Sequence, residues 1–172
     1  MIKDIEGNVM VFYHGTPGEA FEEFDLSKST RNRWESGEIY FFALEKEIAE
    51  NYAEGNGSII KVNLKANKIF DTVKNKEDKE IYDRLVMERL ENGDDVYTQG
   101  QAEEGYADEQ SFGYPDNWVS EYENSYPYFE NNDWLVDKIK ALGYDAVITS
   151  EGNAKIGIAV LGKEQIKIIR EA

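Results

Sequence analysis

Short runs of β-branched and aromatic residues, bounded by glycine and other turn-forming residues, restrict the fold of this 172-residue chain more than any other feature. Such runs predict strands, whereas three segments between them have the spacing of amphipathic helices. The predicted strands cover residues 9–13, 39–42, 58–64, 144–149, 158–161 and 166–169, with 68–71 as a shorter continuation of the third. The predicted helices cover residues 45–53, 77–92 and 133–142. This order of elements predicts an α+β domain.

The composition indicates one globular domain that spans residues 1–172. Hydrophobic residues make up 41% of the chain and aromatic residues 13%, which is enough to build a sizeable core. The absence of cysteine excludes disulfides, thiolate metal sites and cysteine nucleophiles. The N-terminus is charged, and no apolar run approaches the length that spans a bilayer. We therefore expect a soluble, cytoplasmic protein without a membrane partner.

Acidic residues are concentrated in one part of the chain. The formal net charge is -16, and most of it falls between Glu77 and Asp133, where there are 17 acidic and 3 basic residues. Such a surface repels phosphate backbones and attracts basic proteins, so the sequence disfavours nucleic acid and favours a basic protein partner. An acidic surface that serves only the solubility of the protein is an equally weighted interpretation. Residues 94–132, rich in tyrosine, glycine and asparagine, are predicted to be irregular with short helices.

The only histidine of the chain lies in a segment that suggests a ligand site. Tyr13-His14-Gly15-Thr16 directly follows the first predicted strand, so we expect His14 at a strand end. An imidazole and a glycine there can hydrogen-bond a sugar hydroxyl and a carboxamide. Tyr40, in the next predicted strand, offers a flat face to an aromatic ring. Together these residues suggest a nicotinamide pocket.

Residues 13–16, 37–42, 49–53 and 143–167 carry a resemblance to a known family through their order and spacing. They resemble the His-Tyr-Glu type of ADP-ribosyltransferase fold seen in diphtheria toxin and poly(ADP-ribose) polymerases, and most closely the small ADP-ribosyltransferase-like domains of phage and mobile-element proteins. The resemblance implies a split, mostly antiparallel β-sheet with an NAD cleft between its halves. Residues 77–132 have no counterpart and are expected to form an acidic helical or irregular insertion.

The resemblance also implies a reaction, in which the nicotinamide–ribose bond of NAD is cleaved and one ADP-ribose is transferred to a protein acceptor, without a metal. His14 would hydrogen-bond the adenosine ribose, and the backbone of Gly15 would hold the nicotinamide amide. Tyr40 and Tyr52 would sandwich the nicotinamide ring, since a cationic pyridinium favours aromatic faces. Thr16 would add a hydroxyl contact to the sugar.

The third catalytic position departs from the family pattern. The family places Glu, sometimes Gln, at the start of the strand before Glu-Gln-Ile, and that position falls near Gly157. Glycine offers no side chain to bind the ribose hydroxyl or to stabilise an oxocarbenium ion. Glu151, in the preceding turn, is the predicted substitute, and Gln165 is a weaker one. Arg31 and Arg33, in a loop that could cover the ligand, are predicted to pair with the pyrophosphate.

Structural roles stay open for the same residues. His14 can cap a turn, and Tyr40 can be a cross-strand core residue. Tyr52 can pack on its helix face, Glu151 can be a solvated turn residue, and Arg31 can serve surface solubility. Two other functions are also open. One is a catalytically degenerate, acidic inhibitor that occupies a basic, nucleic-acid-binding surface, and the other is an enzyme that hydrolyses NAD without a protein acceptor.

Overall fold

The computed structural model describes residues 1–25, 39–94, 133–150 and 156–170. The strands within these ranges are β1 Phe12–Thr16, β2 Tyr40–Ala43, β3 Ser58–Leu64, β4 Ile69–Phe70, β5 Ala146–Ser150, β6 Ile156–Val160 and β7 Ile166–Ile168. The helices are α1 Lys46–Ala53, α2 Lys76–Glu91 and α3 Asp133–Ala141, and a 3-10 turn at Lys163–Gln165 leads into β7. The predictions for the loop at 27–36, for residues 95–132 and for the turn at 151–155 lie outside the described residues.

The described strands form one sheet in the order β4-β5-β6-β2-β1-β3-β7, and of their pairings only β4 with β5 is parallel. Strand β1 pairs with β3 along its whole length. Between β1 and β2, by contrast, the described strands share one register pair, Tyr13↔Ala43. The sheet therefore consists of two halves, β4-β5-β6-β2 and β1-β3-β7, joined at one point. The predicted α+β fold with a split, mostly antiparallel sheet is confirmed.

Apolar side chains cover both faces of the sheet. On the face that we call inner, buried residues of the two halves form one cluster, which includes Phe12, Phe42, Val62, Leu64, Ile158 and Val160. On the outer face, α2 and α3 bury residues at helical spacing against the larger half of the sheet. This second cluster includes Tyr82, Val86, Leu135, Ile139, Phe70, Val147 and Ala159. The alternation of side chains along each strand thus supplies two separate cores.

Gln165 joins the two halves of the sheet a second time. Its Nε2 donates to the carbonyl oxygens of Lys65, which follows β3, and Asp145, which precedes β5, at 2.8 and 2.9 Å. Its Oε1 accepts the backbone N–H of Leu161 at 3.2 Å. Strands β3 and β5 are separated in the sheet by β1, β2 and β6. The sheet must therefore curl until the end of β3 meets the start of β5, and the inner cluster fills the curl.

The first strand differs from its prediction. The sequence pattern predicts that it ends at Tyr13, but β1 continues to Thr16, so the prediction that His14 lies at a strand end is wrong. The physical reason is pairing with β3, which continues to Thr16↔Ser58 and overrides the turn preference of the His-Gly-Thr segment. His14 therefore lies within a strand at the middle of the sheet.

The short strand β4 also differs from its prediction as a continuation of β3. It lies at the opposite edge of the sheet, where Ile69 pairs with Ala146 of β5. The carboxylate of Asp145 accepts the backbone N–H groups of Asn67 and Lys68, each at 2.9 Å. These two hydrogen bonds hold the start of β4 beside β5 instead of β3.

The helices lie close to their predicted bounds. Helix α1 ends where Glu54 and Gly55 adopt positive φ angles of 50° and 79°. Helix α2 begins after Asn75, whose side-chain oxygen accepts two backbone N–H groups of the first turn at 3.0 and 3.3 Å. None of the helices in the described ranges is long and apolar enough to cross a membrane.

A buried aspartate fixes α2 to the rest of the fold. The Oδ1 atom of Asp78 accepts the hydroxyl of Tyr144 at 2.5 Å, and its Oδ2 atom accepts the backbone N–H of Asp71 at 2.9 Å. Burial, reinforced by the hydrogen bond and charge of Asp78, raises the pKa of Tyr144 to about 12. The tyrosine therefore keeps its proton, and with it this contact, throughout the neutral pH range.

Candidate active site

The two halves of the sheet separate beside His14. We call this gap the split, and residues 14–16 of β1 and 40–42 of β2 border it. A register continued from Tyr13↔Ala43 would pair Gly15 with Phe41. No such pair occurs between the described strands, although both extend over these residues. Backbone groups of β1 and β2 therefore border the split without a continuous ladder between them.

His14 bridges the split with its side chain. Its Nδ1 lies 3.0 Å from the carbonyl oxygen of Phe41, and because a carbonyl only accepts, Nδ1 carries the hydrogen. In the neutral ring, Nε2 is then an acceptor. Burial lowers the pKa of His14 below its ordinary value of 6.5, and the hydrogen bond to Phe41 opposes that shift. At neutral pH the imidazole is therefore uncharged, and its Nε2 can accept a hydrogen bond from a hydroxyl group.

Three phenylalanine rings surround the His14 ring. Their centroids lie 5.1 Å (Phe24), 5.8 Å (Phe42) and 6.0 Å (Phe21) from the centroid of the imidazole. Phe24, 7% exposed, also contacts Tyr40 with its ring edge-on at 6.0 Å. Phe24 belongs to the inner cluster and Phe21 packs against it, but the sequence pattern did not predict their contact with His14. Their place directly after the histidine segment is the signal that points to it.

The packing of α1 against β1 requires a glycine at position 15. A Cβ atom at this position would lie 1.9 Å from the carbonyl oxygen of Ala49 in α1 and 2.9 Å from the Cβ of Tyr52. A Cβ on Gly57 would likewise lie 2.1 Å from the carbonyl oxygen of Ala53. These two glycines allow α1 to lie directly against β1 and β3 on the outer face. The same close approach places Tyr52 beside the split.

The two tyrosines predicted to stack on a nicotinamide lie on opposite faces of the sheet. Tyr40 belongs to the inner cluster and is 5% exposed. Tyr52 lies on the outer face beside Gly15 and is 48% exposed. A ring held between these side chains would therefore have to enter the split itself. Tyr40 occupies the cross-strand core position that the sequence left open, and its stacking role stays a prediction.

The remaining predicted site residues divide into one that the structure describes and three that it does not. Thr16 is partly buried at the end of β1, where its Oγ1 lies 3.5 Å from the backbone nitrogen of Gly18. Arg31, Arg33 and Glu151 lie outside the described residues, so their predicted roles stay predictions. Within the described part of the chain, no group of three His, Asp or Glu side chains could hold a metal ion.

The position predicted for the third catalytic residue is occupied by a glycine within the sheet. Gly157 is buried in β6, where it pairs with Ala43 of β2 on one side and Thr149 of β5 on the other. The interpretation of Gln165 as a weak substitute for the missing acid is wrong, because both ends of its amide are bonded to backbone groups. Gln165 therefore holds the end of β3 against the start of β5 and does not replace the missing acid.

Comparison with known proteins identifies the family of the chain. Neither the curated proteins nor the solved structures contain a match to the chain. A family model described as ADP-ribosyltransferase in polyvalent proteins matches residues 4–172. This match confirms the resemblance carried by the histidine and tyrosine segments. The chain, with its split sheet and its histidine at the split, therefore belongs to the family of ADP-ribosyltransferases in polyvalent proteins.

Proposed function

We propose that this protein cleaves the nicotinamide–ribose bond of NAD and transfers one ADP-ribose to a protein acceptor. Enzymes of the family use NAD as their donor, so membership supports ADP-ribosyl transfer in general. The observation that carries the proposal is His14 at the split, where the Phe41 carbonyl fixes Nδ1–H and leaves Nε2 as an acceptor. An acceptor held in this way suits a sugar hydroxyl of NAD.

The split supports binding of the nicotinamide carboxamide. In a continued ladder, the carbonyl of Phe41 would accept the N–H of Gly15, the residue opposite it. The imidazole of His14 takes that carbonyl instead. The proposal therefore assigns the backbone N–H and C=O of Gly15 to the carboxamide, which carries one matching acceptor and two donors. No side chain at Gly15 blocks the approach of this group.

Aromatic and polar side chains complete the proposed binding of NAD. Tyr52 contacts the nicotinamide from the outer face and Tyr40 from the inner face, and both attract the positive charge of the pyridinium. The Nε2 atom of His14 accepts a hydroxyl of the adenosine ribose, and Thr16 adds a hydroxyl contact to the sugar. Arg31 pairs with the pyrophosphate, for which a guanidinium offers matching donors.

In the proposed reaction, the C–N bond between the ribose and nicotinamide breaks, and its electron pair leaves with the nicotinamide. An oxocarbenium-like ribose forms, and a lone pair of the acceptor group then bonds to its anomeric carbon. The proton of the acceptor group passes to Glu151 or to solvent. The proposal assigns Glu151 to stabilising the ribose cation because Gly157 has no side chain, and loss of such a group costs about 2–4 kcal/mol of transition-state stabilisation.

The proposed acceptor is a protein with a basic surface. Acidic residues outnumber basic ones by 17 to 3 over residues 77–133. The solvent side of α2 contributes to this charge, because the side chains of Glu77, Glu80, Glu88 and Glu91 are exposed. Long-range attraction would bring a basic protein to this surface, whereas it would repel a nucleic acid.

Release of nicotinamide from NAD tests the proposal. We expect the wild-type protein to release nicotinamide and to transfer labelled ADP-ribose to a basic protein. We expect His14→Ala to lower kcat/KM by about 100-fold, because the ribose loses the group that positions it. Val73→Ala, a change at an exposed residue on the turn before α2, is the matched control and should act like the wild type. A wild-type protein that neither binds NAD in calorimetry nor releases nicotinamide would contradict the proposal.

A second function is favoured by the glycine at position 157. A non-catalytic member of the family could use its acidic surface to occupy a basic, nucleic-acid-binding site on another macromolecule. This function predicts no NAD binding and a tight, salt-sensitive complex with a basic protein. Hydrolysis of NAD without transfer is distinguished by nicotinamide release that leaves no label on any protein.

A further inference from the structure

Thr149 carries a buried hydroxyl that no described residue hydrogen-bonds. The side chain is 3% exposed, and within the described residues its Oγ1 has no hydrogen-bond partner. The buried side chains of Asp78 and Gln165, by contrast, are fully engaged. Buried polar groups without a partner are rare in folded proteins because their loss of hydration is not compensated. The hydroxyl of Thr149 can therefore hydrogen-bond a group other than the described residues.

The sheet register places this hydroxyl beside the third catalytic position. Thr149 pairs with Gly157, Gly157 pairs with Ala43, and Ala43 pairs with Tyr13. Directly paired residues share a face, so these four positions form one row across the outer face. The two middle positions carry a hydrogen atom and a methyl group. No large side chain of the row therefore stands between Thr149 and the point where β1 and β2 still pair.

This row lies on the face that holds the proposed nicotinamide contacts. Gly15 follows Tyr13 by two residues on β1, so it faces the same side of the sheet. Its close approach to α1 and to the Cβ of Tyr52 confirms that this side is the outer face. A donor molecule whose nicotinamide lies at Gly15 and Tyr52 would extend its attached ribose along the row toward Gly157.

We propose that the hydroxyl of Thr149 binds a hydroxyl of the nicotinamide ribose in the NAD complex. This inference rests on the proposed function and names a further binding residue for it. A threonine hydroxyl both donates and accepts, so it can match a sugar hydroxyl in either orientation. It carries no charge, and it therefore holds the ribose equally in the substrate and in the transition state. Binding of the donor depends on Thr149, whereas stabilisation of the ribose cation depends on a carboxylate.

Three variants at this position test the inference. Thr149→Val keeps the shape of the side chain and removes the hydroxyl, Thr149→Ser keeps the hydroxyl, and Thr149→Ala removes it at a smaller volume. We expect Thr149→Val to raise the KM for NAD about 5-fold, the worth of one neutral hydrogen bond, with kcat within about twofold of wild type. We expect Thr149→Ser to keep a KM close to wild type. Thr149→Ala gives a second comparison with Thr149→Ser, and we expect it to raise the KM for NAD as Thr149→Val does.

Unfolding by urea without NAD provides the second measurement. A hydroxyl that has no partner in the free protein contributes nothing to its stability, so Thr149→Val should unfold at the wild-type urea concentration or above it. A KM unchanged in both Thr149→Val and Thr149→Ala would overturn the inference while leaving the proposed function intact. A clear loss of stability in Thr149→Val would also overturn it, because the hydroxyl would then have a partner within the fold. Absence of NAD binding by the wild-type protein would instead remove the proposed function, and this inference with it.

Discussion

Besides the Tyr13↔Ala43 pair, two side chains join the halves of the sheet, and they differ in how many of their polar atoms are hydrogen-bonded. At Gln165, one side-chain amide binds backbone groups of three segments, and both its oxygen and its nitrogen are engaged. At the split, the His14 imidazole binds one carbonyl and keeps its other nitrogen as an acceptor. The comparison teaches that a side chain bridging two half-sheets can use all of its polar atoms within the fold or keep one as an acceptor for another group. The difference lies in the hydrogen-bonding capacity that is left over.

Among the substitutions beside the split, we expect the largest effect on stability from one that disturbs the packing of α1 against β1. We expect Gly15→Ala to lower the free energy of unfolding by about 3 kcal/mol, because the new Cβ would overlap the backbone carbonyl of Ala49. Urea unfolding measures the effect. Gly18→Ala is the matched control, since a Cβ there would meet nothing within 4 Å. Equal stability of the two variants would show that α1 can move away from β1 and that the close approach is not fixed.

Removal of the Gln165 side-chain amide should change the stability of the protein and not its binding of NAD. We expect Gln165→Leu to lower the free energy of unfolding by about 2 kcal/mol, because the carbonyl of Lys65 loses the amide of Gln165 and the N–H of Leu161 keeps only its bond to the carbonyl of Asp145. Lys167→Leu, at a nearby exposed position of β7, is the control and should change stability by less than about 0.5 kcal/mol. The KM for NAD should stay at the wild-type value when measured well below the unfolding temperature. A raised KM in a fully folded Gln165→Leu protein would show that Gln165 contributes to NAD binding. The difference in role between Gln165 and His14 would then be lost.

Protonation of His14 beside the split should give the smallest effect, a change in the free energy of unfolding with pH. Burial lowers the pKa of His14 below 6.5, so the unfolded chain binds the proton more readily than the folded one. The free energy of unfolding should therefore fall as the pH drops through 6.5, and this contribution should level off below the pKa of the folded state. Under the proposed function NAD binds to the neutral ring of His14, so the affinity for NAD should fall as the pH drops through the pKa of the folded state.

Nuclear magnetic resonance can follow this titration directly, because the chain contains one histidine. His14→Gln is the control, and the difference in pH dependence between the two proteins isolates the imidazole from the carboxylates. A measured pKa of 6.5 or above would contradict the burial of His14 among the phenylalanine rings. It would also remove the argument that Nε2 is an acceptor at neutral pH.

The predictions from sequence were accurate where local pattern decides the structure. The alternation in residues 58–64 predicted β3 with its observed bounds, and the spacing in residues 77–92 predicted α2. They failed where pairing with a distant segment decides it. The segment around Gly15 has a turn preference, yet β3 holds it in a strand. Gln165 was considered for catalysis because its type allows that role, whereas its actual partners come from Lys65 and Asp145, distant in sequence.

The amino-acid sequence by itself determined the α+β class, the position of the histidine and tyrosine segments and the family to which they point, because these depend on residue type and spacing along the chain. Only the tertiary structure decided that the imidazole bridges two half-sheets, that Tyr40 and Tyr52 lie on opposite faces, and that the hydroxyl of Thr149 is left without a partner beside Gly157 among the residues described. Each of these depends on which strands lie next to one another and in which register. Register is set by the burial of both faces at once, and that is a property of the whole sheet and of no single segment.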